Sequence, residues 1–107
     1  QVRDEEDKEK LIMLLYLYML LNIVKLKGDK KKYQAVFSNK RVKFGAEGSK
    51  TFLDHKDDKK KENYLKRHIV RENWNDPYSA GALSRYILWN KPTLLESIKD
   101  YKKRFGF

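Results

Sequence analysis

The sequence predicts an α+β fold: a hydrophobic N-terminal helix, a small β-hairpin, and about three short helices that form a compact C-terminal corner. Three observations predict it. The run LIMLLYLYMLLNIV, Leu11 to Val24, is apolar at every position except Asn22. The segments YQAVF and RVKFG, residues 33–37 and 41–45, alternate with a period of two across a three-residue polar turn. From Asp54 onward, apolar residues recur at helical spacing, broken at Asp76-Pro77 and Pro92. Periods of two and of 3.6 residues are the signatures of strands and of half-buried helices.

The first ten residues, QVRDEEDKEK, carry three cations and five acids. Asp4 to Asp7 suit a helix N-terminus, where the backbone dipole favours negative charge. The apolar run follows with no polar stripe, so as a helix it is apolar all round. Fourteen helical residues span roughly 21 Å, less than the ~30 Å hydrocarbon thickness of a bilayer. Tyr16 and Tyr18 sit mid-run, away from the ends where interfacial aromatics gather. The preceding acids and the lack of a small-residue cleavage site argue against a secretory signal. The run therefore reads as a segment buried by a partner or between subunits, with Leu11, Leu14, Leu17, Tyr18 and Leu21 as its contact residues. Insertion into a membrane, with Lys25 and Lys27 snorkelling, is the alternative.

KLKGDKKK is expected to end that helix at Gly28 and to act as a basic linker. This divides the chain into an N-terminal anchor, residues 1–27, and a small basic α+β domain, residues 28–107. In the hairpin, Tyr33, Ala35 and Phe37 share one face of the first strand, and Val42 and Phe44 share one face of the second. Thr51 to Leu53 is expected to add a third short strand. Two strands alone are marginal in water and must pack on something.

Asp54 is expected to cap the next helix, whose apolar face carries Tyr64, Leu65, His68 and Ile69. Leu83, Tyr86, Ile87 and Asn90 form the following stripe. Thr93 with Glu96 is a capping box that opens a last helix. Leu94, Leu95, Ile98, Tyr101 and Phe105 line one side of it, and Gly106 ends it. Trp74, Tyr86, Trp89, Leu94, Ile98 and Phe105 are the expected structural core.

No catalytic residues, metal ligands or cofactor are expected. The chain has no cysteine, which removes disulfides and thiolate metal sites. In DHKDDKKKE, residues 54–62, His55 with Asp54, Asp57 and Asp58 cannot all converge on one ion, because successive helical positions point about 100° apart. Helix capping and solvated ion pairs explain the cluster. Gly45 and Gly48 are too few for a phosphate-binding loop, and a bulge or turn accounts for them. No nucleophile–base–acid set is present.

Charge is the more informative feature. The chain carries 25 Lys and Arg against 15 Asp and Glu, a formal net charge of +10. Residues 25–43 hold eight of the cations and one acid, a local balance of +7. Such a block fits an acidic protein face, an anionic membrane surface or nucleic acid, and equally a solvated face with no ligand. Lys30, Lys31, Lys32, Arg41 and Lys43 are the expected contacts to an acidic partner. Tyr33, Phe37 and Phe44, interleaved with these cations, fit a platform for single-stranded nucleic acid. Lys59, Lys60, Lys61 and Arg67 can add phosphate contacts.

The pattern FG..G...F..HKD from Phe44 to Asp57 is followed by YL.RH...ENW from Tyr64 to Trp74. AG..SR..LWNKPTL..SI.D..KRFG then runs from Ala80 to Gly106. Together they resemble a small family of uncharacterised proteins of large double-stranded DNA viruses of algae and amoebae, of chlorovirus and mimivirus type. The likeness covers roughly residues 33–106, and the apolar run lies outside it. It implies a viral origin and nothing about catalysis. The expectation that follows is a non-enzymatic minor capsid protein on the inner side of the virion shell. Its partners would be the major capsid protein and other minor capsid proteins, with contact to the inner viral membrane. A virion nucleic-acid-binding protein that uses the basic hairpin is the alternative.

Overall fold

A computed structural model describes residues 5–11 and 21–107. The fold is mixed α+β, an antiparallel three-stranded sheet covered on one face by short helices. Helix α1 occupies 5–11. Strands β1 (Asn22–Lys25), β2 (Lys31–Val36) and β3 (Arg41–Ala46) follow, paired in that order. Helices α2 (Phe52–His55) and α3 (Asp58–His68) come next. Helix α4 (Ala80–Leu83) runs straight into one π-helical turn (Ser84–Leu88), and α5 (Leu94–Phe105) closes the chain.

The β2–β3 hairpin forms as its alternation predicts, with Tyr33 opposite Phe44 and Ala35 opposite Val42. Ala35, Phe37 and Phe44 are buried beneath the helices. Leu83, Ile87 and Leu88 descend from α4 and the π turn to meet them, and Tyr101 comes from α5. Asn22, Val24, Arg41 and Lys43, on the other side of the sheet, are exposed. This is the one-sided burial that an antiparallel sheet permits.

The start of the sheet corrects the N-terminal reading. The apolar run does not continue as helix to Val24, because Asn22–Lys25 is the edge strand β1, with Ile23 opposite Ala35. Leu21 is 2% exposed and part of the core, so it is no contact residue for a partner. Two physical reasons favour the strand. Ile23 and Val24 are β-branched and fit an extended chain better than a helix. A third strand also supplies the support that a lone hairpin lacks. Gly28, at φ 70, turns the chain from β1 into β2 instead of ending a helix. Leu26 N–H donates to Lys32 C=O at 2.8 Å across that turn. Since β1 precedes the expected division at 27/28 and pairs beyond it, residues 21–27 belong with the sheet. Leu14, Leu17 and Tyr18 lie outside the described residues. Leu11 is 57% exposed, and no helix among the described residues is long and apolar enough to cross a membrane.

Thr51 to Leu53 is not a strand. Thr51 caps α2, and its own N–H donates to Asp54 Oδ2 at 2.7 Å. Asp54, expected as a cap, is the acidic partner three residues into a capping box. Asp57 caps α3 instead, accepting from the N–H groups of Lys59 (2.9 Å) and Lys60 (3.2 Å). The last helix starts as expected, with Thr93 Oγ1 accepting from Glu96 N–H at 3.2 Å, and ends at Gly106.

The expected core is partly displaced. Tyr86, Trp89, Leu94, Ile98 and Phe105 are half-buried around the core, not at its centre. Trp74 stands apart from it, donating through Nε1 to Glu72 Oε2 at 2.9 Å. Its indole has a polar edge, and the carboxylate satisfies that edge near the surface. Tyr101 holds the centre instead: it is fully buried, and its hydroxyl donates to the carbonyl of Pro77. On α3 only Tyr64 is buried. Ile69 is 60% exposed because it falls past the end of the helix.

Candidate nucleic-acid interface

The hairpin cations are not equivalent. Lys43 Nζ lies 2.6 Å from Asp29 Oδ2. That bond, with the Lys31 N–H bond to the same carboxyl group, holds Asp29 below the usual carboxylate range. Lys32 lies 3.6 Å from Asp54 and also donates to the Ser49 carbonyl. Lys30, Lys31 and Arg41 are exposed and have no ion-pair partner among the described residues. The stacking platform expected between them is absent. Phe37 and Phe44 are buried, and Tyr33 leans on Phe44 with ring centroids 5.9 Å apart. The alternation that makes these rings regular also puts them on the face the helices cover.

A second cationic cluster forms along α3, at which the Lys runs only hinted. Lys60, Asn63 and Arg67 repeat along one side of α3 at spacings of three and four residues. They face Lys50 and His55, and Trp89 joins them in lining a recess of about 200 Å³. The helix sorts its charges by side. Glu62 lies 3.6 Å from Lys59 and 2.9 Å from Lys66. Among the described residues, no carboxylate lies within ion-pair distance of Lys50, Lys60 or Arg67.

Trp89 is set rigidly. Its ring lies flat on Tyr64, centroids 4.3 Å apart and planes 6° from parallel, with the His55 ring 5.4 Å away. Burial pushes the Tyr64 hydroxyl up to about 12. The His55 tautomer follows from its neighbours. Asp57 N–H donates to Nδ1 at 3.0 Å, so the ring proton sits on Nε2. That Nε2 is buried and has no hydrogen-bond partner among the described residues.

More positive charge stands behind Trp89. Lys61 Nζ donates to the Asn90 carbonyl at 2.7 Å and covers the Phe52 ring at 4.9 Å. Its pKa is lowered, first by burial, then by the like charges of Arg85 and Lys91, with Asp58 opposing. Arg85 donates from Nη1 to the Trp89 carbonyl at 3.0 Å and lies against the rings of Trp74 and Tyr86. Like charges gathered around Lys61 in this way favour an approaching anion.

Of the phosphate contacts read from the sequence, Lys60 and Arg67 line the recess, Lys59 is tied to Glu62, and Lys61 is folded back on Asn90. Lys50, His55 and Trp89 were not legible as partners, because tertiary packing alone brings them to α3. The periodicity of Lys60, Asn63 and Arg67 was available in the sequence and marks the side of α3 that matters.

Residues 21–68 match the model of a family of unknown function (DUF5754). The matched segment begins at Leu21, where the described core begins, and ends with α3. It therefore holds every residue of the recess except Trp89. No curated protein and no solved structure shows a significant match to the chain.

Proposed function

We propose that this chain is a non-catalytic nucleic-acid-binding module whose primary contact is the recess at Trp89. One observation carries the reading: Lys50, Lys60 and Arg67 converge on a single recess without a carboxylate among them. Crowded cations of this kind gain from a polyanion, because each phosphate neutralised releases condensed counterions. The net charge of +10 supplies long-range attraction. Lys30, Lys31 and Arg41 on the hairpin extend the positive surface. The alternative expected from the sequence is thus retained with different residues at its centre.

The minor-capsid reading has one structural observation in its favour, the exposure of Leu11 at the head of the apolar run. At the far end of the same run Leu21 fills this chain's own core, which shortens the segment left for a partner.

The test is fluorescence anisotropy with a labelled single-stranded 20-mer. Lys50→Gln/Lys60→Gln/Arg67→Gln is compared with Lys30→Gln/Lys40→Gln/Arg41→Gln, which removes the same charge from the hairpin outside both cavities. The recess variant is expected to lose roughly tenfold or more in affinity, and the hairpin variant clearly less. Equal losses would return the site to the hairpin or reduce it to net charge. No binding by the unmodified chain at low salt would end the proposal.

A further inference from the structure

A larger cleft, about 320 Å³, adjoins the cationic recess and shares Lys50 and Trp89 with it. Its floor includes Phe44 and Leu88, and His68 and Glu72 form part of its wall. We infer that this cleft takes an unpaired nucleobase, so that the nucleic acid bound is single-stranded. This rests on the function proposed above and adds the form of the ligand.

The central observation is an ordered stack of rings that ends at His68. Trp89 stacks on Tyr64, and Tyr64 stacks on His68 with centroids 4.1 Å apart and planes 24° from parallel. The edge of His68 is also fixed, because Nδ1–H donates to Glu72 Oε1 at 2.9 Å. Glu72 is held in turn by the Trp74 indole on its other oxygen. Gly81 passes so close that a Cβ there would lie 2.8 Å from Glu72 Oε2, so only glycine leaves the carboxylate its place. The imidazole is thus oriented through Tyr64, Glu72 and Trp74, yet its side chain keeps 36% of its exposure. A planar ring entering the cleft extends the stack without ordering the protein further.

The chemistry around the ring points to a base and not to a greasy ligand. The floor is apolar, and Ser49, Lys50 and Ser84 bring polar groups to the walls, the mix that orients a heteroaromatic ring. Because Lys50 borders both cavities, a phosphate in the recess and a base in the cleft can belong to neighbouring parts of one strand. A duplex offers the phosphates but keeps its bases in its own stack, and would have to unpair one to fill the cleft.

Three ligands of equal length separate the ideas: a single-stranded 20-mer, its duplex, and a strand of the same backbone lacking bases. The inference expects the single strand to bind about tenfold more tightly than either of the others. His68→Ala should remove most of that advantage while leaving the affinity for the base-free strand unchanged. His68→Phe, which keeps a stacking ring, should retain it. Thermal melting of both variants checks that α3 is intact, and the three-ligand comparison on the unmodified chain needs no variant. If the base-free strand and the duplex bind as tightly as the single strand, the inference is wrong while the cationic recess stands. If none of the three binds, the proposed function falls and this inference with it.

Discussion

Tyr64 and Trp89 lie face to face, 4.3 Å between centroids, and this contact fastens α3 to the turn that follows the π helix. Twenty-five residues of sequence separate the two rings. The stack carries Lys60 and Arg67 on one partner and the floor of the recess on the other, so it joins the packing of the domain to its charged surface.

The contact is expected to be energetically coupled. Tyr64→Leu and Trp89→Leu are each destabilising, and a double-mutant cycle by urea denaturation should give an interaction of about 1 kcal/mol. A coupling near zero would mean that each ring is held by its other neighbours.

Tyr101→Phe isolates one hydrogen bond in the core. The ring is fully buried and its hydroxyl bonds the Pro77 carbonyl, 24 residues away in sequence. Burial raises the pKa of this hydroxyl, so it stays a neutral donor. Loss of the donor leaves a carbonyl unpaired and should cost about 1–2 kcal/mol in chemical denaturation. Protection from amide hydrogen exchange should fall first between Asn73 and Ala80.

Leu21 and Leu11 test the corrected N-terminus. Leu21→Ala removes a side chain that is 2% exposed and should cost about 2–5 kcal/mol. Leu11→Ala removes one that is 57% exposed and should stay within about 0.5 kcal/mol. Similar losses at both positions would place the core boundary elsewhere.

Acid should weaken the fold through carboxylates held low in the folded state, Asp54 and Asp100 among them. Burial raises the pKa of Asp100, but hydrogen bonds from Asn90 at 2.6 Å and Arg104 at 3.4 Å outweigh it, and the net shift is downward. Asp54 is held low first by the backbone N–H of Thr51. Both folded values lie below the unfolded value of about 3.9. Their contribution is therefore complete above that value and is lost as pH falls through the folded one. The urea midpoint should be insensitive to these two groups from about pH 5 to 7 and drop below about pH 4. Asp100→Asn should make that drop shallower; an unchanged drop would assign it to other groups.

The parts of the fold legible in the sequence are those set by local rules. The β2–β3 hairpin and the faces of its strands followed from alternation, and the start of α5 from the spacing of Thr93 and Glu96. The errors arose where composition outweighed pattern. Thirteen apolar residues out of fourteen read as helix through Val24, although Leu21 and Ile23 alternate with polar Asn22 as an edge strand does. Large size made Trp74 look like core, whereas its position beside Glu72 follows from a loop whose path no local rule fixes. The charge of the candidate site was visible in the Lys runs. Its location was not, because Lys50, Lys60 and Trp89 meet only after α3 packs against the turn that follows the π helix.

The most direct test is the salt dependence of single-strand binding, measured as the slope of log K against log salt concentration. Lys60→Gln/Arg67→Gln is compared with the unmodified chain. If those two side chains neutralise phosphates, the slope should become shallower by about 0.7 for each cation removed, roughly 1.4 in all. An unchanged slope would show that the strand never enters the recess, and the account of the Trp89 surface would be wrong.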